Sequence, residues 1–579
     1  MLLIIMGILI FAGLYIFGKF GISKNAKAEY LALYASTVAL LWSIFQIAVS
    51  FSPQYNLYVM LPIMHKIKDW VGVANASSTP ALALMQGGPD TVAPANAASF
   101  KDLETVSSYF NWTKPVMTGE GILDSYSSLY LNTDYANFDG LTSVFVGLTT
   151  IITPIAILAS EKKTEMLSSL LLVEALLIGA FVTFDFVTFY ALFESVLIPM
   201  FFLIGGTGSG ATLFRTAAAY RLFLYTLGGS VLMLLSLIVL YLETGTLNWY
   251  FLVLKGVYSN ASGLATENNI SNVIGFFSSN KTLPLSTLPL ELATPYPKVG
   301  QSNSVNIGIL LFPLIFVAFA VKVPMIPVHL WLPEAHTIAP TPGSMILAAL
   351  LLKLGGYGLL RWLMPIFPDA TIYYSPVILV LAVISTTFAC LTCLRQIDIK
   401  RIVAYSSIVH MNICIYSIFT LSPLAIKGAI FEMFSHGIIS TGMFFLIGVV
   451  YNRHDTRILK YFRGLALTMP LFTTIFFIFV LANSAVPLTC GFIGEFIMLS
   501  GSMQALPFLT IILTISTIVN AAYNIWLFNR MCFGGYSPYL VKTKDITRKE
   551  AYVLAPLLFY IVLLGICPNF VFMLIDGSI

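Results

Sequence analysis

Ionisable residues standing alone inside long apolar runs are the feature of this 579-residue sequence that points to chemistry. Glu174, Glu194, Lys322, Lys353 and Glu495, together with His329, His410 and His436, are embedded among Leu, Ile, Val, Phe, Ala and Gly. A charge at mid-bilayer costs about 2.5–3.5 kcal/mol on insertion scales, so such groups mark ion or proton pathways. Carboxyls and amines exchange protons when burial and neighbouring charge bring their affinities together, and imidazole relays protons near neutral pH. The chemistry within reach of this set is proton transfer.

Spacing adds depth to that reading. Glu174 lies 11 residues before Asp185 and Glu194 lies 9 after it. With Asp185 at the turn of a helical hairpin, both carboxyls sit roughly 15 Å deep, near the membrane midplane. Lys322 precedes Pro324 and Pro327, which cannot donate helical hydrogen bonds, so the helix is expected to break just after the lysine. A break frees carbonyls that can solvate an ammonium or hold water. Lys322 and His329, seven residues apart, are expected to share one helical face. Lys353 lies about eleven residues into the next span, in Leu-Leu-Lys-Leu-Gly-Gly-Tyr-Gly, too deep to snorkel. His410 follows Arg401 by nine residues, and Glu432 and His436 form an i,i+4 pair. Glu495 stands beside a second proline and glycine interruption, Asn483-Ser-Ala-Val-Pro-Leu-Thr-Cys-Gly491.

The elements that must hold these residues are membrane helices. Hydrophobic residues make up 58% of the chain and charged ones only 10%, with a mean hydropathy of +0.88. Too few polar side chains remain to cover a water-soluble globule, which excludes a soluble enzyme, a nucleic-acid binder and a disordered scaffold. Runs long enough to cross an apolar layer of about 30 Å fall at 2–18, 29–50, 140–160, 166–184, 186–206, 219–242, 304–332, 342–366, 373–394, 401–420, 424–450, 464–500, 505–529 and 551–575. The fold class is therefore an all-α polytopic membrane protein of about 14 transmembrane helices. The expected organisation is N-terminal helices at 1–50, a polar insertion at 51–138, helices three to six at 139–242, and a second insertion at 243–303. A channel core follows at 304–530, then a loop and final helix at 531–579. Spans seven and twelve occupy matching places in two five-span blocks, four to eight and nine to thirteen. An odd number of spans per block makes the repeat inverted, each block with one broken helix.

Orientation follows from the basic residues. Nineteen of the 30 Lys and Arg residues fall in loops after odd-numbered spans; on the other side the short loops hold only Arg361 and Lys427. The positive-inside rule then places both termini on the non-cytoplasmic, or intermembrane-space, side. The N-terminus starts apolar, without the basic region of a signal peptide, and is read as a retained span. Asn-x-Ser/Thr triplets at Asn75, Asn111, Asn260, Asn269 and Asn280 are read as chance features of polar loops. Cys390-Leu-Thr-Cys393 lies within an apolar run with no second pair, so the two cysteines are read as small helix residues, and no metal site is expected.

The stretch Val321-Lys-Val-Pro-Met-Ile-Pro-Val-His-Leu-Trp-Leu-Pro-Glu-Ala-His-Thr-Ile-Ala-Pro-Thr-Pro-Gly-Ser, continuing to Leu-Leu-Lys-Leu-Gly-Gly-Tyr-Gly, closely resembles the signature of the antiporter-like subunits of respiratory complex I. Lys400-Arg-Ile-Val-Ala-Tyr-Ser-Ser-Ile-Val-His-Met-Asn and Ser-His-Gly-Ile-Ile-Ser-Thr-Gly-Met-Phe-Phe resemble two further motifs of that family. The resemblance covers about 140–530; the first 139 residues and 243–303 match it poorly. Glu495 points to one branch of the family, since sister subunits resembling chains 2 and 5 usually carry lysine there. The chain also ends soon after the last span, without the long lateral helix of chain 5.

By that likeness Glu194 and Lys322 form an acid–lysine pair, Lys353 is the central relay lysine and Glu495 the terminal proton site. His329, His410, His436 and Glu174 are further relay candidates. The resemblance implies a membrane subunit that moves protons while NADH-to-ubiquinone electron transfer occurs in partner chains. No glycine-rich phosphate loop follows a strand and no cysteine cluster could hold iron–sulfur, so no cofactor is expected here. FMN, iron–sulfur clusters and ubiquinone are expected in partner subunits. Expected partners are membrane-arm subunits resembling chains 2 and 5, accessory subunits and lipid, with no nucleic acid. The expected location is the mitochondrial inner membrane, the alternative being a bacterial plasma membrane. An Mrp-type Na⁺/H⁺ antiporter subunit, which shares much of the signature, is the alternative function.

Overall fold

The structure, a computed structural model, describes residues 139–160, 164–249, 251–253, 307–535, 537–539 and 544–576, with a few positions between 32 and 39. The expected span at 2–18, nearly all of that at 29–50 and most of both insertions lie outside the described residues. Within them the chain is helical, and no strand forms beyond two isolated bridges. Helix is what a membrane chain must adopt, because it satisfies every backbone N–H and C=O within one segment.

The helices are α1 (Gly140–Leu158), α2 (Thr164–Val182), α3 (Phe186–Thr207), α4 (Thr212–Thr244), α5 (Ile307–Lys322), α6 (Trp331–Ile338), α7 (Thr341–Ile366), α8 (Pro368–Cys393), α9 (Ile399–Phe419), α10 (Pro423–His454), α11 (Pro470–Asn483), α12 (Cys490–Ala505), α13 (Pro507–Cys532), α14 (Arg548–Ile566) and α15 (Asn569–Asp576). Ten of them are long and apolar enough to cross a membrane, and α5 and α11 are shorter apolar helices. Starts are capped by side chains: Asp185 accepts from the Thr188 N–H at α3, Asp398 from those of Lys400 and Arg401 at α9. Thr547 and Glu550 close a reciprocal capping box on α14.

Burial sorts the bundle. The apolar window of α10 is wholly buried and those of α7 and α9 are 94% buried, whereas α14 is only 28% buried. The three innermost helices are the ones that carry Lys353, His410, Glu432 and His436. Elements hidden from lipid on all sides are thus where ionisable groups are tolerated.

Both expected helix breaks are present and are built alike. α5 ends at Lys322 and helix resumes at Trp331. Inside the gap the Ile326 N–H donates to Ser385 Oγ of α8 (3.0 Å), and Asn412 Nδ2 of α9 donates to the Pro324 carbonyl (3.3 Å). The second break runs from Asn483 to Thr489, with left-handed φ at Ala485 (54°) and Leu488 (72°). There Asn520 Nδ2 of α13 donates to the Asn483 carbonyl (3.1 Å), and Asn483 Nδ2 donates to Asn524 Oδ1 (3.0 Å). In each case short polar side chains from neighbouring helices take up backbone groups that the break sets free.

One expectation is corrected here. The helix stops at Lys322, so His329 lies in the turns between α5 and α6 rather than on the face that carries the lysine. The Pro324–Pro327 interruption that frees the carbonyls also destroys the seven-residue periodicity.

α7 holds a feature that composition does not reveal. Two turns of it, Leu347–Leu351 and Leu359–Leu363, are π-helical, and Lys353 lies on the α-helical piece between them. Gly355 lets α7 approach the end of α5: a Cβ there would stand 2.5 Å from Val323 Cγ2 and 3.1 Å from Lys322 Cβ.

Candidate functional site: a buried ionisable chain

Lys322, 1% exposed, is the last residue of α5. Its Nζ lies 4.4 Å from the centre of the Phe193 ring on α3 and has no hydrogen-bond partner among the described residues. Glu194, the next residue after Phe193, is its electrostatic neighbour, and Glu194 Oε1 is buried without a partner. The acid and the amine thus interact through space without a direct bond. An aromatic face favours the ammonium, a carboxylate nearby favours it further, and burial opposes it. The balance of those three effects sets whether the lysine keeps its proton.

The second group is joined by polar contacts on either side of two neighbouring imidazoles. Lys353 Nζ donates to the Ala348 carbonyl in the first π turn of α7 and contacts His436 Nδ1 of α10, each at 2.7 Å. A wide turn gives the ammonium a carbonyl five residues back along its own helix. The His436 ring centre lies 5.3 Å from that of His410 on α9. His410 Nδ1 stands 3.1 Å from Glu495 Oε1 of α12 and 3.4 Å from Glu432 Oε1 of α10. Lys353, His436, His410 and Glu495 are 0%, 1%, 2% and 5% exposed, so the series runs through the protein and not along lipid.

The remaining residues divide. Glu174 is buried in α2 beside Thr153 of α1, with Oε1 unbonded, and makes no contact with the series among the described residues. His329 packs against the rings of Phe388 and Tyr405, at 5.8 and 6.3 Å. Cys390 and Cys393 are buried in α8, their thiols directed at the Ser516 and Ile402 carbonyls.

Three ionisable residues of the interior escape sequence reasoning as site members. Glu432 shares α10 with His436, but the two face different partners, His410 and Lys353. His336 is fully buried, stacked on Phe444 at 4.5 Å, within electrostatic reach of Lys353, Lys400 and His436. Lys400, 6% exposed, donates from Nζ to the Ala339 carbonyl at 2.6 Å. Glu432 was visible as an acid at helical spacing. Lys400 sits beside Arg401 at a helix start, where a lysine ordinarily reaches solvent.

Arg361 and Lys427 are likewise placed inside helices, not in loops. The Arg361 guanidinium is buried in the last π turn of α7, between the rings of Phe184 (4.1 Å) and Trp249 (4.7 Å), and bonds Asp139. Lys427 of α10 pairs with Asp576 of α15 at 2.6 Å.

Comparison with known proteins places these elements. A family model described as "NADH:quinone oxidoreductase/Mrp antiporter, TM" matches residues 183–520, which contain every member of the ionisable series. A protein named NADH-ubiquinone oxidoreductase chain 4 from Marchantia polymorpha is 41% identical over 441 residues, covering 75% of this chain and 79% of that protein. A protein of the same name from Mycosarcoma maydis is 40% identical over 446 residues, covering 76% and 82%. Among solved structures, a chain of respiratory complex I from Thermus thermophilus superposes with a TM-score of 0.63 at 24% identity, covering 76% of this chain and 86% of that one. At that identity the likeness speaks for the fold.

Proposed function

The chain belongs to the NADH:quinone oxidoreductase/Mrp antiporter membrane family, and from that premise we propose that it translocates protons as a chain 4-type membrane subunit of respiratory complex I. The contact series Lys353–His436–His410–Glu495 carries the reading. Each of its members can hold or release a proton, which is what a stepwise relay needs.

In this reading Glu194 holds Lys322 charged. When the carboxylate's influence weakens, burial favours the neutral amine and Lys322 gives up its proton. Lys353 receives it, His436 and His410 pass it on, and Glu495 discharges it beside the second break. The gap between the two imidazoles is bridged by internal water. Glu174 and His329 lie off the series and serve as branches of the route. The protein has about fourteen spans, arranged as two inverted five-helix repeats whose broken helices are α5–α6 and α11–α12. Segments 139–242, 304–530 and 531–579 supply the described spans, and nearly all of 1–50, all of 51–138 and most of 243–303 lie outside the described residues.

Electron transfer belongs to partner subunits that hold FMN, iron–sulfur clusters and ubiquinone; this chain holds no redox centre. Its neighbours are the subunits resembling chains 2 and 5, and the complex lies in the mitochondrial inner membrane. The names of the curated relatives favour this reading over an Mrp-type antiporter, and co-purification with an FMN/iron–sulfur NADH dehydrogenase separates the two. The experiment that tests the relay is the proton-to-electron ratio of the complex in vesicles. Lys322→Ala or Glu194→Gln in a correctly assembled complex is expected to abolish this subunit's share; an unchanged ratio rejects the pair's role.

A further inference from the structure

His410, Glu432 and Glu495 come from α9, α10 and α12, yet one ligating atom of each lies within 4.8 Å of the other two. Their side chains are only 3%, 1% and 7% exposed. Both carboxylates crowd the same imidazole nitrogen, and among the described residues neither His410 nitrogen meets hydrogen-bond geometry and Glu495 Oε1 has no hydrogen-bond partner. A histidine and two acids, convergent and underbonded in the interior, are a donor set short of its acceptor. We propose that these three residues bind a divalent metal ion of the zinc class, and that its binding stops proton passage at Glu495.

Two of the three ligand separations match that class, and the third lies within 4.8 Å. Zinc bonds imidazole nitrogen at about 2.0–2.1 Å and carboxylate oxygen at about 2.0–2.2 Å, so neighbouring ligands in a tetrahedral site stand about 3.3 Å apart. The His410 Nδ1 separations from Glu495 and Glu432 are 3.1 and 3.4 Å. Calcium and magnesium take oxygen ligands in larger number, and a site with nitrogen and only two carboxylates is poor for them. A neutral imidazole, two carboxylates and a divalent ion sum to zero charge, so binding the ion leaves no net charge buried.

The surroundings hold the ligands in place. Ser435 Oγ donates to Glu432 Oε2 at 2.9 Å, fixing the oxygen that does not face His410. Gly494, one residue before Glu495, leaves room for Glu432: a Cβ at that position would stand 2.3 Å from Glu432 Oε2. Three protein ligands leave a fourth position for water. The metal site stands independently of the proton route; the block on pumping rests on Glu495 acting as proposed above.

The test uses the whole complex treated with zinc chloride, imaged by cryo-electron microscopy and assayed in vesicles. The expected result is a density peak between the three side chains and zinc-dependent loss of NADH-driven proton ejection. Glu432→Gln is expected to raise the half-inhibiting zinc concentration tenfold or more, relative to its own metal-free rate. Ser435→Ala keeps all three ligands and is expected to weaken binding about tenfold, which decides the matter should Glu432→Gln fail to assemble. A zinc-treated complex without density at this position, or variants with unaltered zinc affinity, overturns the site. Density without any effect on proton ejection overturns the placement of Glu495 on the route.

Discussion

Lys353 of α7 and His436 of α10 touch through Nζ and Nδ1 at 2.7 Å, both side chains sealed from solvent and lipid. When the lysine is an ammonium it donates, and the imidazole must then carry its own proton on Nε2. That nitrogen has no hydrogen-bond partner among the described residues, so the bond leaves the histidine's own proton on the side away from the lysine. In the proposed relay, a proton arriving at Nδ1 and one leaving from Nε2 would pass along one ring without its rotation.

Substituting Lys353 separates charge from proton exchange. Lys353→Arg keeps a cation that cannot be deprotonated in a protein, and Lys353→Met removes it. Both are expected to lower the proton-to-electron ratio of the assembled complex to the same degree. Full pumping by Lys353→Arg would assign the residue a purely electrostatic role.

The first break predicts a local fault at Ser385. Its hydroxyl accepts from the Ile326 N–H, and Ser385→Ala leaves that donor unpaired at a cost of about 1–3 kcal/mol. Faster hydrogen exchange in peptides covering Val323–Val328, without change elsewhere in α8, is the expected outcome. Exchange indistinguishable from wild type would mean that another group satisfies the donor.

Close approach at Gly355 predicts a steric effect. Gly355→Ala drives a methyl against Val323 and the root of Lys322, and such overpacking costs about 1–3 kcal/mol. The thermal midpoint of the membrane arm is expected to fall, with pumping reduced because the end of α5 must shift. A midpoint equal to wild type would show that the break absorbs the methyl.

The clamp on Arg361 predicts an effect at the outer end of α7. Arg361→Lys keeps the charge yet loses the flat surface that stacks between Phe184 and Trp249, and Lys has no planar fork for Asp139. Faster proteolysis or exchange near Trp249 is expected, since its Nε1 also donates to the Arg361 carbonyl at 2.7 Å. Unaltered protection there would show that the tryptophan is anchored by other contacts.

The limits of legibility are physical. The break after Lys322 was readable because proline has no N–H, and Lys353 was readable because nothing nearby in sequence accounts for its charge. Periodicity assigns Glu432 and His436 to one face of α10, but it contains nothing about which neighbour each meets; only packing of α7, α9 and α12 sends one to His410 and the other to Lys353. Lys400 and His336 were missed because the corner between α6 and α7 folds over the start of α9, burying a lysine that its local sequence would leave in solvent. The π turns had no signature, since Leu-Ala-Ala-Leu-Leu is an ordinary α-helical sequence.

Those wide turns set α7 apart, since among the described helices it is the one that contains them. Each accommodates surplus backbone, and if the surplus migrated past Lys353, the lysine would swivel by about 100°, one residue's worth of helical rotation. It would leave His436 without any unwinding of the segment. Images of the complex arrested during turnover would reveal such a ratchet as a second orientation of the Lys353 side chain; a single orientation in every state would retire the idea. Built this way, one helix would make and break the contact between Lys353 and His436.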